Sequence, residues 1–210
     1  MIRILIADDH AIVRHGLKQI VEKSGEMRVV AEAESGIDAL RKIREIECDV
    51  VLLDISMPDM SGIDVLKQIH AEKPQLPILI LSIYSEDQYA MRLIKAGAAG
   101  YMTKETAPSE VVKALLRVAG GKKYITPAVA EILANDLGMA EEKLPHQILS
   151  DREYQIFLLL ASAKTVSEIA NTLALSVKTV STYRTRVLEK MHLSNNAELM
   201  RYAVDHQLAQ

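Results

Sequence analysis

The sequence predicts an α/β domain built on a doubly wound, five-stranded parallel sheet, followed by a small all-helical domain. Two observations carry this. Over residues 1–120, short β-branched apolar runs recur at 4–7, 29–33, 50–53, 78–81 and, more weakly, 100–102. Between them, apolar residues fall at helical spacing, as at Ile37, Leu40 and Ile43 or at Ile63, Leu66 and Ile69. Strands that are apolar on both faces suit a parallel sheet covered by helices on both sides. Beyond residue 149 the period is helical throughout.

The elements follow in order. The first strand runs into Asp8-Asp9, with a helix opening near Ala11. Ser35-Gly36-Ile37-Asp38-Ala39-Leu40 recurs nearly intact as Ser61-Gly62-Ile63-Asp64-Val65-Leu66. Both read as helix starts capped by serine, one local problem solved twice. Gly120-Gly121-Lys122-Lys123 closes the last helix of the first domain. Thr126-Pro127 opens a further helix, with threonine as cap and proline in the first turn. Residues 138–148 read as a linker. Four helices are then expected at 151–162, 166–173, 177–191 and 195–206. Ser150-Asp151-Arg152-Glu153 and Thr165-Val166-Ser167-Glu168 each fit a capping box. Ala174-Leu175-Ser176 is a connection short enough for a helix-turn-helix, with Ser176 capping the third helix. The expected domains are therefore 1–120, a linker with one helix over 121–148, and 149–210.

Composition narrows the function. The chain has 210 residues, 49% of them hydrophobic, and a formal net charge of −3. Its longest apolar run, from Ile156 to Ala161, is far short of the roughly 18 residues a membrane-spanning helix needs. The N-terminal apolar stretch is too short for a signal peptide. Cys48 is the only cysteine, which excludes an intramolecular disulfide and a cysteine zinc cluster. Cys48 and the histidines show no metal-ligand grouping along the chain. A cytoplasmic protein with no membrane partner is expected. Residues 1–120 carry 15 basic and 18 acidic side chains, residues 149–210 carry 7 and 6, so the second domain is slightly basic beside an acidic first one.

Ligands of open α/β sheets sit at the carboxyl ends of the strands. There the first strand delivers Asp8 and Asp9, the third Asp54, the fourth Ser82, and the fifth Lys104 just beyond Tyr101. Alone, Asp8 or Asp9 reads better as a loop or cap acid, Ser82 as a strand end and Tyr101 as a packed aromatic. Together they form a site. Three close carboxylates repel one another, and a hard divalent cation such as magnesium, with a phosphate completing its shell, relieves this. Such a site can take a phosphoryl group on a carboxylate, with Lys104 and the metal neutralising oxygen charge and Ser82 donating to the phosphate.

Asp8-Asp9, Leu53-Asp54 followed by Met57-Pro58-Asp59, Ser82 and Lys104 resemble the receiver domain of two-component response regulators over about residues 1–120. The resemblance implies a flavodoxin-like strand order 2-1-3-4-5 and Asp54 as phosphoacceptor. It also implies Mg2+ held by Asp9, Asp54 and the Ser56 backbone carbonyl, with Asp8 acting through water. Ser82 and Tyr101 would be the switch pair, and Lys104 the phosphate partner. Two residues depart from the pattern. Glu105 stands where the family often has proline, and Ile83 where it often has a small residue. Bulk at Ile83 implies slow dephosphorylation.

On a helical wheel of 177–191, Val177, Val180, Val187, Leu188 and Met191 form an apolar stripe expected to face the bundle. Lys178, Thr182, Thr185, Arg186 and Glu189 lie opposite, with Ser181 on one shoulder and Tyr183 and Lys190 on the other. Small polar and basic residues near a helix N-terminus suit a major groove, and equally suit an ordinary solvated helix. Arg184 falls in phase with the apolar stripe, so its stem is expected to pack while its head reaches an acid or a phosphate.

Leu149-Ser150-Asp151-Arg152-Glu153, Ser167-Glu168-Ile169-Ala170, Leu175-Ser176-Val177-Lys178-Thr179-Val180 and Leu188-Glu189-Lys190-Met191 are similar to the LuxR-type helix-turn-helix. By that resemblance Ser181, Thr182 and Thr185 match groove-facing residues, and Lys178, Tyr183 and Arg186 match backbone contacts. Ser181, Tyr183 and Ala163 stand where lysine, histidine and glycine are common in the family. The two resemblances together are those of the NarL/FixJ class. They imply a phosphorylation-gated transcriptional regulator with a histidine kinase donor, a double-stranded promoter DNA target and a homodimer on activation. A DNA-binding regulator whose acidic site is structural is the alternative. A magnesium phosphatase is a poorer fit, because its usual Asp-x-Asp on the first strand is here an adjacent pair. No turnover enzyme is expected.

Overall fold

The structure is a computed structural model describing residues 1–57, 59–138 and 144–209, and it divides into two compact units, Met1–Ala134 and Asn135–Gln210. Pro58 of the Met57-Pro58-Asp59 signature and part of the expected linker, residues 139–143, lie outside the described residues.

The first unit alternates β1 (Ile2–Ala7), α1 (Ala11–Lys23), β2 (Met27–Ala33), α2 (Gly36–Glu45), β3 (Val50–Leu53), α3 (Gly62–Glu72), β4 (Ile78–Ser82), α4 (Glu86–Lys95), β5 (Gly100–Thr103) and α5 (Pro108–Ala119). All strand pairs are parallel and the order is β2-β1-β3-β4-β5, as expected. β3 and β4 are buried along their whole length, which explains their unbroken apolar sequences. On one face, Ile4, Ile6, Leu52, Leu79, Leu81 and Met102 form one core with Leu17 and Val21 of α1 and Val111, Leu115 and Val118 of α5. The alternate strand residues Leu5, Leu53, Ile80 and Tyr101 are fully buried as well.

The two serine-glycine repeats pack together. Ser35 accepts the Asp38 N–H at 3.2 Å, and Ser61 the Ile63 N–H at 3.1 Å. A Cβ on Gly36 would stand 2.8 Å from Met60 Cβ and Val65 Cγ2, so only glycine lets the helix starts approach. The carboxylate of Asp59 accepts the N–H groups of Gly36 and Ile37, both at 2.9 Å. Burial alone would raise the Asp59 pKa, but these backbone donors outweigh it and hold it low.

A sixth helix, α6 (Pro127–Gly138), begins against this unit. Residues 121–134 pack there: Tyr124 bridges to Gly100 alongside β5, and Val129 is buried. Thr126 caps the helix, accepting the Val129 N–H at 3.2 Å, and donates to both carboxylate oxygens of Glu86 at 2.9 Å.

The second unit holds a 3-10 turn (Pro145–Ile148) and the helices α7 (Asp151–Ala161), α8 (Val166–Thr172), α9 (Val177–Lys190) and α10 (Asn196–Asp205). α7 is the hub, buried without a break from Glu153 to Ala161, with α8, α9 and α10 packed on it. Both capping boxes form, at Ser150/Glu153 and Thr165/Glu168. Val177 departs from expectation: it is 51% exposed, while Val180, Val187, Leu188 and Met191 of the same stripe are buried. Val177 opens α9 at its free first turn, ahead of the stretch that packs on α7 and α8.

Candidate functional sites

In the first unit the strand order places β1 beside β3, the point where the chain direction of winding reverses. Their carboxyl ends bring Asp8, Asp9 and Asp54 together. Asp8 and Asp54 are both 2% exposed. Lys104, reaching over from the end of β5, sets its Nζ 2.6 Å from Asp8 Oδ2 and 2.8 Å from Asp54 Oδ2. Burial pushes the Asp54 carboxyl above its ordinary value, and the Lys104 ammonium only partly opposes this. Burial acts against the Lys104 charge too, but the two carboxylates outweigh it and hold its pKa high.

The site is closed from below by α3. A Cβ on Gly62 would fall 2.1 Å from the Asp54 carbonyl oxygen, so glycine is required where α3 starts under the Asp54 loop. Gly62 N–H donates to Ile55 O at 2.9 Å, and Ser56 N–H to Asp54 Oδ1 at 3.2 Å.

Asp8, Asp9, His10 and Asp54 offer ligand atoms within 4.8 Å of one another. Asp9 Oδ1 is buried and accepts no hydrogen bond, although His10 Nδ1 lies 2.7 Å away. A buried carboxylate oxygen beside two further carboxylates fits a hard cation. His10 is a correction to the expectation that no histidine joins a ligand grouping. It follows directly on Asp9 in the chain, but only the turn into α1 bends its ring back onto the acids.

Ser82 is fully buried at the end of β4, and Tyr101 is fully buried on β5. Both also meet the backbone of Tyr84. Tyr84 N–H donates to Ser82 Oγ at 3.2 Å, and Tyr101 Oη donates to Tyr84 O at 2.8 Å. Burial pushes the Tyr101 hydroxyl pKa far up, so it is a donor at any physiological pH. Ile83, between them, is 69% exposed. At the residue that replaces the family's proline, Lys104 N–H donates to Ser82 O at 2.7 Å and Thr106 N–H closes a turn onto Thr103 O at 3.0 Å. Tyr84 was not singled out from the sequence, since it acts through its backbone.

In the second unit Lys178, Ser181, Thr182, Thr185 and Arg186 are exposed along α9, and Tyr183 is half-buried. Ser176 caps the helix, accepting the Thr179 N–H at 3.0 Å. Two contacts set its orientation. Lys190 Nζ lies 2.7 Å from Oε2 of the buried Glu153 on α7. Burial works against the Glu153 charge, but Lys190 and the Ser150 amide outweigh it and hold the carboxyl low. Arg184 Nε donates to Asn196 Oδ1 at 2.7 Å, so its head meets a neutral amide on α10 instead of the expected acid or phosphate.

Known proteins match both units. Residues 4–116 match the response regulator receiver domain, and residues 147–203 match the bacterial regulatory proteins of the luxR family. The chain belongs to the response regulators that join a receiver domain to a LuxR-type DNA-binding domain, the NarL/FixJ class. It is 39% identical to the response regulator GacA of Pseudomonas viridiflava over 207 residues, 98% of this chain and 97% of that one. It is 37% identical to the response regulator UvrY of Escherichia coli K12 over 209 residues, 99% and 96% of the two chains. Among solved structures it is similar to RcsB of Salmonella enterica serovar Typhimurium bound to promoter rprA in the presence of the phosphomimetic BeF3−, with 26% identity and a TM-score of 0.67 over 97% of this chain and 99% of that one.

Proposed function

We propose that this chain is a phosphorylation-gated transcriptional regulator in which Asp54 accepts a phosphoryl group from a histidine kinase. The observation that carries the reading is the buried Asp8–Lys104–Asp54 cluster, with a buried Asp9 oxygen beside it. In the transfer step an Asp54 carboxylate oxygen bonds to phosphorus while the bond from phosphorus to the donor's imidazole nitrogen breaks. The electron pair of that bond stays on the nitrogen, and the ring, protonated on its other nitrogen in the donor, leaves as neutral imidazole. Lys104 meets the charge gathering on the phosphoryl oxygens. Asp9, Asp54 and the Ser56 carbonyl, with Asp8 acting through water, would hold Mg2+, which would supply further charge neutralisation. The phosphoryl group stays on the protein until water removes it, so the chain is a stoichiometric acceptor and not a turnover enzyme.

The switch runs through Tyr84. Turning Ser82 Oγ toward a phosphoryl oxygen withdraws the acceptor of the Tyr84 N–H, and the Tyr84 carbonyl is the one that holds Tyr101. Two residues further on, Glu86 holds the cap of α6 through Thr126. The change at Asp54 therefore has a covalent and hydrogen-bonded route to the segment leading to the reader. The phosphoryl group shifts a pre-existing equilibrium. The active form is a homodimer that presents paired α9 helices to a two-fold-related promoter site in the cytoplasm. α10, whose Val204 is 57% exposed, serves as the reader's dimer face.

The test is capture and sequencing of genomic fragments by the full-length protein, with and without an acyl-phosphate donor and Mg2+, beside Asp54→Asn. Inverted-repeat sites enriched mainly with the donor, and lost in the variant, support the reading. Equal capture under all conditions points to a constitutive DNA-binding regulator with a structural acidic site. Steady turnover of a phosphate ester points to a phosphatase.

A further inference from the structure

The exposed face of α9 carries two threonines whose hydroxyl hydrogens are already in use. Thr182 Oγ1 donates to Lys178 O at 3.0 Å, and Thr185 Oγ1 donates to Ser181 O at 3.2 Å, each one turn back along the helix. Such back-bonding leaves the Cγ2 methyl as the main group each side chain offers an approaching surface. Thr182 and Thr185 stand three positions apart, so their methyls sit side by side on one face.

The arginines of α9 are engaged elsewhere. Arg184 is held by Asn196 on α10, and the Arg186 guanidinium lies 5.8 Å from the ring centroid of Tyr183. The commonest direct reading of guanine needs a long cation aimed squarely at O6 and N7. Two side chains drawn sideways along the helix suit phosphates better. Thymine is the base that presents a methyl group in the major groove, and an apolar group of matching size recognises it.

We propose that Thr182 and Thr185 read thymine C5-methyl groups, so that each half-site carries thymine at the positions these residues meet. The proposal rests on α9 being the DNA-recognition helix and adds what that helix recognises.

The test uses the full-length protein with an acyl-phosphate donor and Mg2+. Duplexes are selected from a randomised pool, and the selected site is resynthesised with deoxyuridine in place of each thymidine in turn. This removes one methyl and alters no base hydrogen bond. Binding should weaken about fourfold at each contacted position, the equivalent of ~0.8 kcal/mol for one buried methyl-sized group. Thr182→Ser and Thr185→Ser keep the hydroxyl and remove the methyl. Each should bind the thymidine duplex about as weakly as wild type binds the uracil one, and should no longer distinguish the two at its own position. Unchanged affinity across all uracil substitutions overturns the methyl reading while leaving α9 as a DNA reader. Recovery of no preferred duplex from the pool overturns both.

Discussion

All four helices of the second unit end on a left-handed residue that is not glycine: Ala163, Ala174, His192 and Gln207 have φ of 60°, 51°, 56° and 57°. Two of these lend themselves to a clean perturbation, Ala163→Gly and Ala174→Gly. At Ala163 the chain closes a Schellman motif, with Lys164 N–H donating to Leu159 O and Ala163 N–H to Leu160 O, both at 3.1 Å. At Ala174, inside the helix-turn-helix connection, Leu175 N–H donates to Ala170 O at 2.9 Å. A left-handed conformation costs alanine roughly 1–2 kcal/mol relative to its preferred one. Glycine avoids that cost, offset by ~0.4–1 kcal/mol for its greater freedom in the unfolded chain. Both alanines are exposed, so removing Cβ forfeits no packing. The net expectation is stabilisation of about 0.5–1 kcal/mol per site. For a unit of this size the double variant should melt roughly 5–10 °C higher. Scanning calorimetry of the full-length protein reads this on the transition of the second unit. That transition is identified by Ala170→Gly, a buried helical alanine whose replacement must lower it. A double variant that melts at or below the wild-type temperature refutes the strain argument.

Four further outcomes follow from the acidic site. Burial raises the Asp54 pKa, so the folded protein holds that proton more tightly than the unfolded chain does. The ionised group then costs stability above its folded pKa, and the cost fades as pH falls toward the unfolded value of about 3.9. In metal-free buffer Asp54→Asn should show a higher urea midpoint than wild type at pH 7.5, with the two converging toward pH 4; parallel curves contradict this. Magnesium should stabilise the wild type by about 2.7 kcal/mol at 100 times its Kd. Asp9→Asn should lose most of that shift, and an equal shift in both proteins removes Asp9 from the metal site. Gly62→Ala must displace the Asp54 carbonyl, so it should destabilise the first unit by about 1–3 kcal/mol and slow phosphoryl acceptance. Normal acceptance and stability in that variant mean the loop yields freely. Ile83→Ala, opening the exposed flank beside Ser82, should hasten loss of the phosphoryl group by up to about tenfold, or ~1.4 kcal/mol off the barrier. An unchanged half-life, followed as acid-labile phosphate, rules out steric shielding by Ile83.

Much of the molecule is legible in one dimension because period and position carry the information. A parallel sheet needs apolar strands, and its ligand rim must lie at their carboxyl ends, so Asp8, Asp9, Asp54, Ser82 and Lys104 can be grouped before any coordinate is known. The caps of α7, α8 and α9 are local too, since a serine or threonine and the amide it accepts lie within one turn. Other features depend on residues far apart in the chain. Lys104 bridging Asp8 and Asp54, the Tyr84 carbonyl between Ser82 and Tyr101, and Glu86 holding Thr126 follow from how β-strands and their loops are juxtaposed.

The sequence by itself determined the fold class, the rim residues and the helices of the second unit, because alternating periods, helix caps and strand ends are short-range properties of the chain. Tertiary structure alone decided which partner each polar group takes. The helical wheel put Val177 inside and left Arg184 seeking an anion, whereas packing leaves Val177 in solvent and gives Arg184 to Asn196. A wheel assigns a direction from the helix axis. Whether a neighbour stands in that direction, and what atoms it offers, is set by where the other helices end.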